Sequence, residues 1–277
     1  MDDPVALSDQ FLRAVRRDEP TDTARRDSGQ CQDSPSAVSW PEQRELGRHG
    51  LRESRLAVEG IEGDLAALAP DGLAAALDGD GPRLAFWVNV YNAAVQRALD
   101  ENPDQYEDRR TFFGKPLVTV AGESLSLDGI EHGILRRSYS KYTLGYVRSP
   151  FRDAFHDQQA VSERDPRVHF ALNCGAESCP PVAAYSRDRV DDQLDLATGG
   201  YLERTVEYDR AAGRVTVPRV MLWFRGDFGG KDGIYDFLRR YDQLPAGVRP
   251  TLSYHDWDWS LRLGKYADLE REESPQP

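Results

Sequence analysis

LAFWVNVYNAAVQRAL, from Leu84 to Leu99, is the most apolar run in the chain, and its reading decides the fold. It is too long for an ordinary strand, its alanines favour helix, and Pro82 just ahead suits a helix entrance. Apolar residues surround most of its circumference, which predicts a central helix buried on nearly every side. One polar stripe interrupts it: Asn89, Asn92 and Gln96 fall at i, i+3 and i+7. A buried amide left without a partner costs about 1–3 kcal/mol. These groups must therefore tie down neighbouring loops, or face a pocket and position a substrate there.

On either side of this rod the pattern is mixed. Val5, Leu7, Phe11, Leu12 and Val15 form the stripe of a short N-terminal helix. The segment that follows is polar and without period. LAALAPDGLAAAL then supplies two short helical pieces broken at Pro70-Asp71-Gly72. PLVTVAGESLSL reads as a hairpin around Ala121-Gly122, after which Ser126 can cap a helix through LDGIEHGILRRSY. RVHFALN reads as a buried strand. RDRVDDQLDLATGGYLERTV is helical, VEYDRAAGRVTVP is a second hairpin, and RVMLWFRGDFGGKDGIYDFLRRY passes from a strand-like run through a Gly-rich loop into a helix. The expected fold class is α+β: a mostly helical single domain over residues 1–270, with small antiparallel β pieces around a central buried helix. Residues 271–277 read as a disordered tail.

Composition narrows the function classes. The chain has 277 residues, 39% hydrophobic and 30% charged, enough for a substantial core. No run is long and apolar enough to span a bilayer. The N-terminus lacks the basic-then-apolar order of a secretory signal, which predicts a cytoplasmic protein with no membrane partner. A net charge of -12 argues against nucleic acid as a partner. Of 35 basic residues only Lys115, Lys141, Lys231 and Lys265 are lysine, and aspartate outnumbers glutamate. A GC-rich genome would explain arginine over lysine but not the added acid. The balance predicts a salt-adapted, halophilic surface.

Chemistry concentrates in HFALNCGAESCPP, His169 to Pro181, which holds two of the three cysteines. If the preceding residues form a strand, alternation sends His169 and Asn173 to one side and Cys174 to the packed side with Phe170 and Leu172. Gly175 permits a sharp turn, and Pro180-Pro181 stiffen it, so that Cys179 can present a thiol beside Ser178. A thiol attacks only as thiolate, which requires an imidazole or an electropositive neighbour. His132 and His169 are the available imidazoles. His132 shares a helix face with Gly129, Gly133 and Arg136, where the glycines remove side chains that would crowd it. The alternatives stay open: a zinc site would have to recruit both histidines, a disulfide is disfavoured in the cytosol, and a buried packing pair fits the composition. Cys31 lies in a polar stretch and reads as incidental.

Three stretches together, AFWVNVYNA, EHGILR and HFALNCGAESCP, resemble the family named only as domain of unknown function 547. The likeness continues through LWFRGDFGG to YHDWDWSLRL, from about Leu65 onward. Against that pattern residues 28–64 read as a surface insertion, with Ser28 to Ser39 poorly ordered and Gln43 to Val58 at most a peripheral helix. The resemblance implies little about activity. The combination of helix, histidine element and cysteine turn is also similar to papain- or transglutaminase-like thiol enzymes, in which the thiol usually heads the helix; here the helix carries Asn89. That departure implies either that the nucleophile has moved to Cys179 or that the pocket serves binding alone. The first expectation is a thiol-dependent hydrolase or acyl-transfer enzyme: Cys179 as nucleophile, His132 as base, and Asn89 or Asn173 orienting the imidazole or stabilising an oxyanion. Arg136, Asn92, His169 and Ser178 would hold the substrate, with no metal and no cofactor. The second is a non-catalytic module binding a small molecule or a peptide in the same pocket.

Overall fold

The computed structural model describes residues 3–18 and 55–269. The expectations for Cys31, for Ser28 to Ser39 and for the tail at 271–277 lie outside these residues. Helix α1 (Pro4–Asp18) buries its predicted stripe. Helix α2 (55–67) buries Val58 and Leu65 in the main core while Leu56 faces solvent, so the C-terminal end of the expected insertion is part of the packed structure. Helix α3 (Pro70–Ala76) follows, opened by its proline.

The central rod is α4 (Asp80–Glu101), with every side chain from Leu84 to Gln96 buried. Asp80 sits in its first turn, where a carboxylate complements the helix dipole. The same carboxylate accepts from the Ser162 N–H and hydroxyl, each at 2.6 Å, which fastens the loop at residues 161–163 to the start of the rod. A 3-10 turn (Pro103–Asp108) and α5 (Arg109–Gly114) lead into the first hairpin, β1 (Pro116–Val120) with β2 (Glu123–Ser126). Ala121 and Gly122 both have positive φ, as the tight turn requires.

Ser126 caps the next element as expected, its Oγ accepting from the Gly129 N–H at 3.0 Å. That element is a π-helical turn, Gly129–Leu135, wider than the α-helix predicted. Helix α6 (Ala154–Gln159) packs beside it. RVHFALN corrects the sequence reading, since Pro166–Phe170 is a 3-10 turn rather than a strand. Pro166 at its first position and the Asp165 carboxylate, accepting from the Arg167 N–H at 2.9 Å, start a helical turn that the apolar alternation disguises.

Helix α7 (Val190–Thr205) and a second hairpin, β3 (Glu207–Asp209) with β4 (Arg214–Val217), follow as predicted. The strand-like run after it is instead a short helix, α8 (Val220–Trp223), leading to α9 (Gly230–Arg240). Strand β5 (Thr251–Tyr254) then joins β4 in parallel, so the three-stranded sheet β3-β4-β5 is mixed rather than wholly antiparallel. The apolar interior falls into two clusters, one around α4 and one around α8, α9 and the mixed sheet. The fold is a mostly helical α+β domain, and its chemistry-bearing residues meet where the two clusters adjoin.

Candidate functional site

The polar stripe of α4 explains the conformation of the cysteine segment. Asn92 Nδ2 donates to the Ala171 carbonyl at 2.9 Å, and its Oδ1 accepts from the Asn173 N–H at 2.8 Å. Asn173 in turn donates to the Pro180 carbonyl at 2.7 Å and accepts from the Gly175 N–H at 2.9 Å and from Gln96 at 3.4 Å. Asn89 pairs with the backbone of Tyr185, donating at 2.8 Å and accepting at 2.9 Å, and reaches Ser8 on α1. These amides are staples. Asn89, Asn92 and Asn173 are used up by backbone partners and do not line the cavity described below, so the site roles expected of them pass to other groups.

Lys265 closes the cysteine turn from outside, its ammonium donating to the carbonyls of Glu177 (2.5 Å), Cys179 (2.8 Å) and Ala176 (3.3 Å). Gly175 has φ +89°, and a Cβ on it would lie 2.7 Å from Leu99 Cδ1, so only glycine fits there. The turn brings the two sulfurs to 2.6 Å, as free thiols. Cys174 does not point into packing: it is the less buried of the two, because the preceding residues do not alternate as a strand.

Both sulfur residues line a cavity of about 160 Å3 together with His132, His169, Asp128 and Glu131. Its walls are aromatic, from Tyr91, Phe113 and Phe224 to Trp223, Trp257 and Trp259, with the rings of Trp223 and Trp259 stacked at 5.7 Å. His132 is therefore a neighbour of His169 and the two cysteines, although tens of residues separate it from them in sequence, whereas Asn89 and Asn173 stand apart. Ser178 lies on a different surface, a groove of about 420 Å3 lined also by Tyr201, Arg204, Arg219 and Lys265. Cys179 and Trp257 border both spaces, so the thiol stands between a small apolar cavity and a larger polar groove.

Burial opposes a Cys179 thiolate but is outweighed by hydrogen bonds from the Cys174 thiol and from the backbone N–H groups of Cys174 and Ala176, with Lys265 adding its charge. Cys179 is held below the ordinary thiol range. Cys174, donating to that sulfur and buried beside it, is pushed well above it.

The two imidazoles are oriented by one buried ion cluster. Asp227, only 2% exposed, accepts from Arg136 at 2.5 and 3.2 Å, from Arg164 at 2.6 Å and from His169 Nε2 at 2.9 Å. Burial alone would raise its pKa; the bonds to His169 and Arg136 prevail and hold it well below the usual carboxylate range. Arg136 also donates to His132 Nδ1 at 2.9 Å and lies over the Phe224 ring at 4.2 Å. Arg136 is 1% exposed and spends its donors on protein, so the expected role of holding an acidic substrate group is not open to it. A guanidinium cannot accept, so His132 carries its proton on Nε2, which lies 3.5 Å from Asp128. Asp128 is pushed down to about 2: burial works against the charge, and His132 and Lys141 overcome it. His169 stacks on Phe224 at 4.4 Å, and since Asp227 takes Nε2, its Nδ1 is the nitrogen left to exchange a proton.

The glycines near His132 serve a different ring from the one anticipated. A Cβ on Gly133 would lie 2.6 Å from His156 Nδ1, and one on Gly129 would lie 3.2 Å from the same imidazole. They admit His156 of α6, not a ligand beside His132.

Asp227 and the tryptophans were not singled out by the sequence as site residues. The signal was a lone aspartate between glycines in FRGDFGG, but its partners lie far back in the chain, and nothing local marks it as buried.

Among the described residues no group of three or more His, Cys, Asp or Glu side chains is arranged to hold a metal ion, and no helix is long and apolar enough to cross a membrane.

Fold and site together define a mostly helical α+β domain built around a paired-thiol, two-imidazole cavity. Residues 77–202 match the family model described as Protein of unknown function, DUF547. The match runs from the end of α3 into α7 and includes both histidines and both cysteines of the cavity, while Asp227, Lys265 and the three cavity tryptophans lie beyond it. Neither a curated protein nor a solved structure matches the chain.

Proposed function

We propose that this chain is a thiol enzyme that hydrolyses or transfers an acyl group, with Cys179 as its nucleophile. The observation that carries the reading is the surroundings of the Cys179 sulfur, which lies 2.6 Å from Cys174 Sγ and accepts from the Cys174 N–H at 3.1 Å, in a cavity that two imidazoles share. The thiolate attacks a carbonyl carbon, a C–S bond forms, and the leaving group departs with a proton. A water then attacks the thioester and restores the thiol. His169 is the better proton carrier of the two histidines, because Asp227 fixes its Nε2–H and leaves Nδ1 for exchange. His132, with Arg136 on Nδ1, serves as a donor through Nε2 rather than as the base. The position of Cys179 between cavity and groove suits a substrate with one small apolar end and one longer polar end, such as a peptide. The reading includes a cytoplasmic, salt-rich setting, as the acidic, lysine-poor composition suggests.

The test uses an acyl-type electrophile that labels activated thiols. Labelling should map to Cys179, vanish in Cys179→Ser, and fall about a hundredfold in His169→Ala, the low end of what a positioned proton carrier contributes. If Cys179 labels no faster than a denatured control, the thiol is not a nucleophile and the cavity is a binding site for a small molecule or a peptide.

A further inference from the structure

We infer that Cys174 and Cys179 form a reversible dithiol–disulfide couple in which Cys174 is the resolving thiol. The inference goes beyond acyl chemistry, since it needs only the reactivity of the two sulfurs with an oxidant.

Three features carry it. The sulfurs are 2.6 Å apart, longer than the about 2.05 Å of a disulfide bond yet near enough that bond formation needs little displacement. The backbone on both sides is already pinned, by Asn173 to the Pro180 carbonyl and by Lys265 to the carbonyls of Ala176, Glu177 and Cys179. Both cysteines also border the same cavity of about 160 Å3, which has room for a small oxidant such as a peroxide.

The chemistry balances with hydrogen peroxide as oxidant. The Cys179 thiolate attacks one peroxide oxygen, the O–O bond breaks, and the departing hydroxide takes a proton to become water, leaving a sulfenic acid. The Cys174 sulfur then attacks the Cys179 sulfur. The S–O bond breaks, the S–S bond forms, and the leaving hydroxide takes the Cys174 proton. Two thiols lose two electrons and two protons, and one peroxide becomes two waters. Oxidation removes the nucleophile and protects it from over-oxidation; a small dithiol such as dithiothreitol reverses it.

The experiment uses the full chain carrying Cys31→Ser, so that only these two thiols remain. After brief treatment with equimolar peroxide, its intact mass should fall by about 2 Da, the loss of two hydrogens, and dithiothreitol should restore it. Cleavage after Glu177 separates the two cysteines, and the fragments should stay joined until reduced. In Cys31→Ser/Cys174→Ala the Cys179 sulfur should instead gain oxygen, over-oxidising roughly tenfold faster. Two thiols that both remain open to alkylation after peroxide would overturn the couple. So would over-oxidation of Cys179 at equal rates with and without Cys174. If the double variant does not fold, the joined fragments of the first protein decide alone. Acyl-probe labelling of the reduced protein is scored separately, so either reading can fail without the other.

Discussion

Asp227 holds two arginines and an imidazole at once, and its removal should be felt in stability before chemistry. Asp227→Asn leaves Arg136 buried with its charge unanswered, at a cost of about 3–5 kcal/mol in urea unfolding. Its folded-state pKa is depressed, so its stabilisation is complete above the unfolded value near pH 4 and is lost as acid protonates the folded carboxylate. The gap between native protein and variant should therefore hold from pH 7 to pH 5 and narrow below about pH 4. At the sulfur, the alkylation rate of Cys179 should rise with a midpoint below that of an ordinary thiol, about 8.5. Cys174→Ala removes a donor to the thiolate, so the midpoint should move upward. An unchanged midpoint would show that the neighbouring thiol does not stabilise the charge.

The elements show what was legible in the sequence and what was not. The apolar run of α4, both hairpins and the Ser126 cap follow from local chemistry, because periodicity and turn residues act within a few positions. The 3-10 turn at His169 was missed for a physical reason. Its apolar residues satisfy strand alternation equally well, and the deciding signal was the small Asp165-Pro166 start. The π-helical turn is set by what it packs against: Gly129 and Gly133 widen the groove that receives His156. Gly133→Ala should force that ring aside and lower the melting temperature, whereas Gly63→Ala, with nothing near its Cβ, should be neutral or slightly stabilising. The amide stripe of α4 was legible as a set of groups needing partners, but not which partners. Asn92→Ala strands the Asn173 N–H and the Ala171 carbonyl, and should cost about 1–3 kcal/mol for each buried group left unsatisfied.

For the whole molecule, charge governs behaviour. With a net charge of -12 and few lysines, repulsion across the surface should weaken the fold in dilute buffer. Raising salt shortens the screening length from about 10 Å at 0.1 M to about 3 Å at 1 M. The melting temperature should rise between dilute buffer and molar potassium chloride, and a flat or falling response would remove the case for salt adaptation. The convergence of His132, His169 and the cysteines on one cavity could be anticipated from their polar character, but its two-cluster setting could not. A third of the residues that wall the cavity, the three tryptophans among them, come from beyond Val217, far from the thiols in sequence.

Those walls give the protein an optical property. Three of its five tryptophans surround the cavity, and two of them stack face to face at 5.7 Å. Indole emission responds to nearby sulfur, to imidazole and to changes in polarity, all of which meet in this one space. The intrinsic fluorescence of the unlabelled chain is thus a built-in gauge of whether the cavity is empty, filled or altered.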